Sequence, residues 1–198
     1  MTSSPQKQTR VFDRLSELYQ RMEENYNYIA RQLGLSCSDC KDNCCVSYFQ
    51  HHTYIEWAYL WEGLKKFSHD RQKVFLDRAK TYIRESRDKL NQGLKPEIMC
   101  PLNENGLCQV YSHRLMICRL HGIPNKVSMP NGKARHFPGC HICQKLTAYM
   151  DKVPVLDRTN FYYDLASLEK DFIKKSSKTN SRVNLNIAEM LVKGPPVV

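Results

Sequence analysis

The feature that most limits how this chain can fold is a set of nine cysteines, all between positions 37 and 143. Two cysteines separated by two residues can turn toward the same metal ion, and this spacing occurs twice. The pattern predicts a thiolate-ligated metal site. Its candidate ligands fall into three groups: Cys37, Cys40, Cys44 and Cys45; then Cys100, Cys108 and Cys118; and finally Cys140 and Cys143.

Disulfide bonding is the main alternative reading of these cysteines. The chain begins with a polar stretch, Met1 to Gln8, and no apolar run approaches the roughly 18 residues that cross a bilayer. We therefore expect a cytoplasmic protein, in which thiols stay reduced. An odd cysteine count and the adjacent pair Cys44-Cys45 also disfavour full pairing.

The metal is left open between Zn²⁺ and an iron–sulfur cluster. Neighbouring side chains such as Cys44 and Cys45 point about 100° apart on a helix, so they rarely serve one mononuclear ion. Two metal centres, or different irons of one cluster, would use both more easily; otherwise one of the two ligates and the other packs inward. Zinc also accepts imidazole, which adds further candidate ligands, although a hydrogen-bonded or exposed role is favoured for each: His51, His52, His113, His121, His136 and His141.

The order of several short motifs resembles the YkgJ-like cysteine-cluster family, described as zinc- or iron-chelating and named for a CxxCxxCC motif. The leading group of cysteines resembles that motif. The resemblance continues at Cys100-Pro101-Leu102, at Gly106-Leu107-Cys108-Gln109-Val110-Tyr111, and at Arg114 with Cys118-Arg119. It covers roughly residues 37 to 143 and implies chelation of zinc or iron.

Three departures from the family pattern bear on the loop geometry and on the identity of the metal. Three residues, Lys41-Asp42-Asn43, precede the cysteine pair where the family usually has two, the leading group lacks the family's usual glycine, and Leu115 replaces a proline. Relatives of the family include a flagellin lysine methylase that looks like an iron–sulfur protein, so the resemblance also permits an enzyme. In that alternative, a cluster works beside side chains that hold an anionic substrate: His113, Arg114, Arg119 or His121.

Hydrophobic periodicity predicts a mainly α fold, a small helical domain around a loop-rich metal centre. We expect one domain over 1–198, with an N-terminal amphipathic helix within 1–34, a cysteine-cluster core over 37–143 and a C-terminal helical extension over 144–198. Helices are predicted from Val11 to Leu33, from Thr53 with a Thr53–Glu56 capping box, and from Asp70 to Leu90 burying Val74, Phe75, Ala79, Tyr82 and Ile83. Further helices are predicted over 142–150, over 157–174 and near Leu191. A short hairpin is predicted around Asn131-Gly132.

The formal net charge of +10 permits a third reading, a zinc-stabilised adaptor that binds nucleic acid or an acidic partner. The densest basic stretch, Lys170 to Arg182, looks more like a solvated helix end and loop than a nucleic-acid reader. No nucleic-acid motif, phosphate loop, nucleophile elbow or H-E-x-x-H motif is present. The partner is therefore not predicted.

Overall fold

The structure, a computed structural model, describes residues 5–36, 44–173 and 182–198. Within these ranges it contains seven helices: α1 (Pro5–Gln32), α2 (Tyr54–Leu64), α3 (His69–Asn91), α4 (Met116–Leu120), α5 (His141–Thr147), α6 (Thr159–Ile173) and α7 (Ile187–Lys193). The strands are β1 (Asn103–Glu104), β2 (Leu107–Cys108), β3 (Asn125–Ser128), β4 (Ala134–Phe137) and β5 (Leu156–Asp157). The predicted mainly α class is confirmed.

The described residues form two compact units. The first unit consists of the described residues within Cys45–Leu115 and Glu169–Val198. The second unit consists of the described residues within Ser4–Cys44 and Met116–Leu168. Neither the single-domain prediction nor its internal boundaries are tested by this division. No described helix is long and apolar enough to cross a membrane.

The core of the first unit forms where α2, α3 and α7 bury their apolar faces. Trp57, Leu60 and Leu64 of α2 pack in one cluster with Phe75 and Ala79 of α3 and with further residues. These members recur at three and four positions along each helix, which places them on one face. The core-facing residues were therefore predictable from the spacing.

The predicted buried face of α3 is wrong at one position. Phe75, Ala79 and Tyr82 are buried and Ile83 packs at the edge of the core, as the periodicity predicted, but Val74 is 39% exposed. The buried stripe instead continues through Ser86. Its small side chain fits a buried position, whereas Val74 lies on the flank of the helix.

The start of α2 is capped from a distant part of the chain. The predicted capping box is wrong, because the Thr53 hydroxyl makes no cap to the backbone and donates to the Glu56 carboxylate at 2.7 Å. The carboxylate of Glu169 accepts from the backbone N–H groups of Tyr54 and Ile55, both at 2.9 Å. A carboxylate is well suited to the unpaired N–H groups at a helix start.

The second unit contains α1 and a small mixed sheet. Helix α1 begins at Pro5, earlier than predicted, because proline suits a first helical turn. Beyond its end lies Gly34, whose φ of +62° suits a glycine that closes a helix. The predicted hairpin is confirmed as β3 and β4, with Asn125 opposite Phe137 and Ser128 opposite Ala134.

Two pairings of short strands were not predicted. Strand β5 pairs in parallel with β3, giving the order β4-β3-β5. In the first unit, β1 and β2 form a second hairpin across Asn105-Gly106, whose φ angles of +50° and +85° suit a tight two-residue turn.

Helices α5 and α6 agree with the predicted helices, although α5 ends at Thr147 rather than Met150.

Candidate metal-binding cysteines

In the first unit, backbone hydrogen bonds connect three cysteine segments that are distant in sequence. The N–H of Cys100 donates to the carbonyl of Cys45 at 3.0 Å, and the carbonyl of Cys100 accepts from the N–H of Asn103 at 2.9 Å. Asn103 in turn pairs with Cys108 across the β1–β2 hairpin. The fold thus places Cys45, Cys100 and Cys108 along one continuous run of backbone contacts.

The side chains of Cys100 and Cys108 are partly buried against the helical core of the first unit. Cys100 also lines a groove of about 820 Å³ together with Tyr82, Asn103 and Glu104. Burial raises the pKa of the Tyr82 hydroxyl to about 12, and the neighbouring Cys100 contributes to this rise. Cys100 therefore lies at the boundary between a packed core and an open surface.

In the second unit, Cys140 and Cys143 lie at the start of α5. Cys140 is the residue that precedes the helix, and its N–H donates to the carbonyl of Gly122 at 3.0 Å. Cys143 is fully buried, with an exposed fraction of 0%. Burial raises the pKa of the Cys143 thiol to about 11, and the neighbouring Cys140 raises it further.

Gly139 makes the close approach to this cysteine pair possible. A Cβ atom at Gly139 would stand 2.6 Å from the carbonyl oxygen of Gly122 and 3.1 Å from Cys143 Sγ. Its φ of +85° also favours glycine. Sequence reasoning missed this residue, although a glycine directly before a CxxC pair was a visible signal. The glycine and the two thiols form a compact cradle that fits two thiolate ligands.

The remaining cysteines are placed separately. Cys118 lies on α4 in the second unit, where sequence reasoning predicted no helix. Cys37, Cys40 and the Cys44 side chain lie outside the described residues. In the part of the chain that the structure describes, no three Cys, His, Asp or Glu side chains come together to hold a metal ion. The nine-cysteine ligand set stays a prediction.

Two of the six candidate histidines are buried in the first unit. His113 stacks on Tyr59 at 4.6 Å and packs so closely on α2 that a Cβ at Gly63 would lie 2.7 Å from its ring. Its Nδ1 atom is 2.8 Å from the Ser112 hydroxyl. His51 is 2% exposed, its Nε2 atom has no hydrogen-bond partner among the described residues, and burial followed by the charge of His52 lowers its pKa to about 3.

The other four histidines are more open to solvent. The Nδ1 atom of His52 lies 3.3 Å from the carbonyl oxygen of Val183. His136 is exposed on β4, His141 is the exposed first residue of α5, and His121 is half-buried after α4. None of the four is thereby established as a ligand.

The two arginines of the enzyme alternative contact aromatic rings. Arg119 is buried in the second unit, with its guanidinium 4.1 Å from the centre of the Tyr19 ring and 3.8 Å from the Glu23 carboxylate. Arg114, in the first unit, lies 3.9 Å over Tyr111. The carboxylate contact of Arg119, added to its aromatic contact, agrees with a structural role for that side chain.

Comparisons with protein-family models, with curated proteins and with solved structures found no match to this chain. The resemblance to the cysteine-cluster family therefore stays a prediction. The basic stretch from Lys170 to Arg182 also stays untested, because residues 174–181 lie outside the described residues.

Proposed function

We propose that this protein binds zinc or an iron–sulfur cluster through cysteine thiolates. The observation that carries the proposal is the cradle formed by Gly139, Cys140 and Cys143, in which a glycine lets the backbone approach a CxxC pair whose second thiol is fully buried. A thiolate in such a place needs a compensating cation, because an unpaired buried charge is costly. A metal ion supplies that charge.

Cys140 and Cys143 would hold the metal in the second unit. Zinc would fix the loop-rich backbone around them, and an iron–sulfur cluster would add electron transfer. The backbone contact of Cys140 with Gly122 orients the start of α5 before any ligand binds. In the first unit, the backbone connections between Cys45, Cys100 and Cys108 support these residues as further ligands. A cytoplasmic location is part of the proposal, since reduced thiols are required.

The first test is the metal content of the full chain purified without oxygen. Zinc, iron and inorganic sulfide are measured, together with the visible spectrum. Iron with sulfide and a broad absorption band identifies a cluster, and zinc without absorption identifies a zinc site. Protein that contains neither metal and takes up neither on reconstitution would refute the proposal.

A second experiment asks whether the cradle holds the metal. The double variant Cys140→Ser, Cys143→Ser is expected to lose bound metal, since a hydroxyl is a much poorer ligand for these metals than a thiolate. Thr147→Ser is the matched control, because it lies on the same helix and its hydroxyl contacts the Cys143 carbonyl. Equal metal content in both variants and in the unmodified chain would exclude the cradle as a site.

A further inference from the structure

Arg158 is a buried cation for which the described residues provide no counter-charge. It follows β5 in the second unit, and its exposed fraction is only 8%. Its Nε atom is buried and has no hydrogen-bond partner in the described parts of the chain, and no described carboxylate forms an ion pair with it. Arginine stays protonated at neutral pH, so this charge cannot be relieved by loss of a proton.

The guanidinium of Arg158 contacts aromatic rings, and no acid contacts it among the described residues. It lies 4.0 Å from the centre of the Phe137 ring and 5.3 Å from that of Tyr162. Ring faces attract a cation, but they leave the in-plane N–H donors of the guanidinium unused. Because the Nε atom of Arg158 is buried, a ligand would contact the two terminal nitrogens of the guanidinium.

A second arginine stands over the same aromatic ring. Arg135 on β4 lies 5.2 Å from the centre of the Phe137 ring, and no acidic partner for it exists among the described residues. Val127 pairs with Arg135 across the hairpin, and the Arg158 N–H donates to the Lys126 carbonyl at 3.0 Å. The alternation of side chains along a strand then places Arg135 and Arg158 on the same sheet face.

The nearby lysine does not change this charge balance. Lys126 lies on the opposite side of the pleat and contacts the Asp157 carboxylate at 3.4 Å. The same carboxylate accepts from the Thr159 N–H at 3.0 Å and from its hydroxyl at 2.6 Å. The carboxylate of Asp157 thus interacts with Lys126 and with the start of α6, and not with either arginine. Two uncompensated guanidinium charges remain beside Phe137.

Arg119 shows how the same unit treats a buried arginine with a structural role. That guanidinium lies over the Tyr19 ring and also has a carboxylate, Glu23, at 3.8 Å. Arg158 has the aromatic contact without the carboxylate. The two residues therefore differ in the carboxylate, which among the described residues only Arg119 has.

We infer that Arg135 and Arg158, packed on Phe137, form a binding site for a dianionic phosphate group. Two guanidinium charges match a phosphate dianion better than a single carboxylate, and the planar fork of arginine suits phosphate oxygens. The phosphate can be the free ion or the terminal group of an organic phosphate monoester. This site is independent of the cysteines.

The test is calorimetric titration of the full chain with inorganic phosphate, phenyl phosphate and a short oligothymidylate without terminal phosphates, at constant ionic strength. Both dianions are expected to bind, and Arg135→Met and Arg158→Met should each weaken that binding by at least about tenfold. Arg84→Met is the control, because Arg84 is an exposed arginine on α3 in the first unit. Phenyl phosphate binding more tightly than inorganic phosphate assigns the site to an organic phosphate, and the reverse order assigns it to the free ion.

Arg135→Met keeps the experiment interpretable if Arg158→Met fails to fold, because Arg135 is exposed. Without phosphate, Arg158→Met is expected to melt at or above the temperature of the unmodified chain, since removing an unpaired buried charge relieves a destabilising interaction. Phosphate should raise the melting temperature of the unmodified chain but not of this variant.

Three results would overturn the inference. The first is no binding of either dianion, and the second is equal weakening by Arg84→Met, which would mark general attraction to a basic protein. The third is binding of the phosphodiester as tight as that of the dianions.

Discussion

Helix α2 and the hairpin segment, Lys126–Ile142, differ in how much of their surface they bury. Helix α2 buries seven of its 11 residues, and three of them, Trp57, Leu60 and Leu64, lie in the core that it shares with α3 and α7. Between Lys126 and Ile142, all of which the structure describes, no residue is buried. Hydrophobic packing can therefore stabilise the helical core, but it cannot hold the hairpin segment.

The hairpin segment is held by other means. Backbone pairing joins β3 to β4 and β5, and the Gly139 cradle fixes the segment's end against Gly122. The thiols of Cys140 and Cys143 and the guanidinium of Arg158 lie at its margins. A segment without buried residues therefore lies beside side chains that are suited to bind a metal or an anion.

The strongest test of this contrast is a cavity in the helical core. Phe75 is fully buried, packs edge-on against Phe67 at 5.3 Å and lies beneath the Arg71 guanidinium. We expect Phe75→Ala to lower the free energy of unfolding by about 4 kcal/mol, since it removes buried surface and leaves a void.

The control for Phe75 is its neighbour in sequence. Val74 is 39% exposed, so Val74→Ala should change the free energy of unfolding by less than about 0.5 kcal/mol. Urea unfolding followed by circular dichroism measures both. Similar losses in the two variants would mean that the buried face of α3 is assigned incorrectly.

The second prediction concerns the hairpin segment. We expect Gly139→Ala to lower the free energy of unfolding by about 3 kcal/mol, because the new Cβ meets a carbonyl oxygen at 2.6 Å and the φ of +85° strains alanine. Moving the Gly122 carbonyl or changing the positive φ of residue 139 would itself cost free energy.

Gly132 separates the cost of the close Cβ contact at Gly139 from the cost of its positive φ. Its φ of +78° is similar, but a Cβ there would meet no atom within 4 Å. Gly132→Ala should therefore cost only about 1 kcal/mol, from backbone strain alone. If the two variants melt at the same temperature, the close packing of Gly139 on Gly122 and Cys143 is not present in solution.

The same contrast explains which elements the sequence could predict. Helix α3 and the hairpin at Asn131-Gly132 follow from local signals, namely a periodicity of three to four and a turn dipeptide. Strand β5 pairs with a strand about 30 residues earlier, and Glu169 caps a helix more than 100 residues earlier. Such partners depend on tertiary structure, so no local pattern indicates them.

The candidate sites divide in the same way. Spacing alone selected Cys140 and Cys143, because their pairing is local. Nothing local indicated that the Cys45 backbone would contact that of Cys100, or that Arg158 would be buried over Phe137. Val74 shows the limit of periodicity even within a helix, since an apolar residue on the flank of a stripe can remain exposed.

The third prediction tests a place where the first unit also leaves a buried polar atom unsatisfied. His51 exchanges two backbone hydrogen bonds with Leu185. Its imidazole ring is buried, and this burial lowers its pKa from 6.5 to about 3. Between pH 6.5 and about 3 the unfolded chain binds a proton at His51 that the folded chain does not, so stability must fall as the pH is lowered. We expect this residue to remove about 2 kcal/mol of the free energy of unfolding between about pH 7 and pH 5.

The variant His51→Leu should lose that share of the pH dependence, because leucine keeps an apolar side chain in the buried position and cannot take up a proton. His136→Leu, at an exposed histidine on β4, should retain it. Urea unfolding at the two pH values measures the difference. If the unmodified chain loses no more stability between the two pH values than His51→Leu does, the imidazole of His51 reaches solvent or a partner, and the first unit is less tightly closed than its packing indicates.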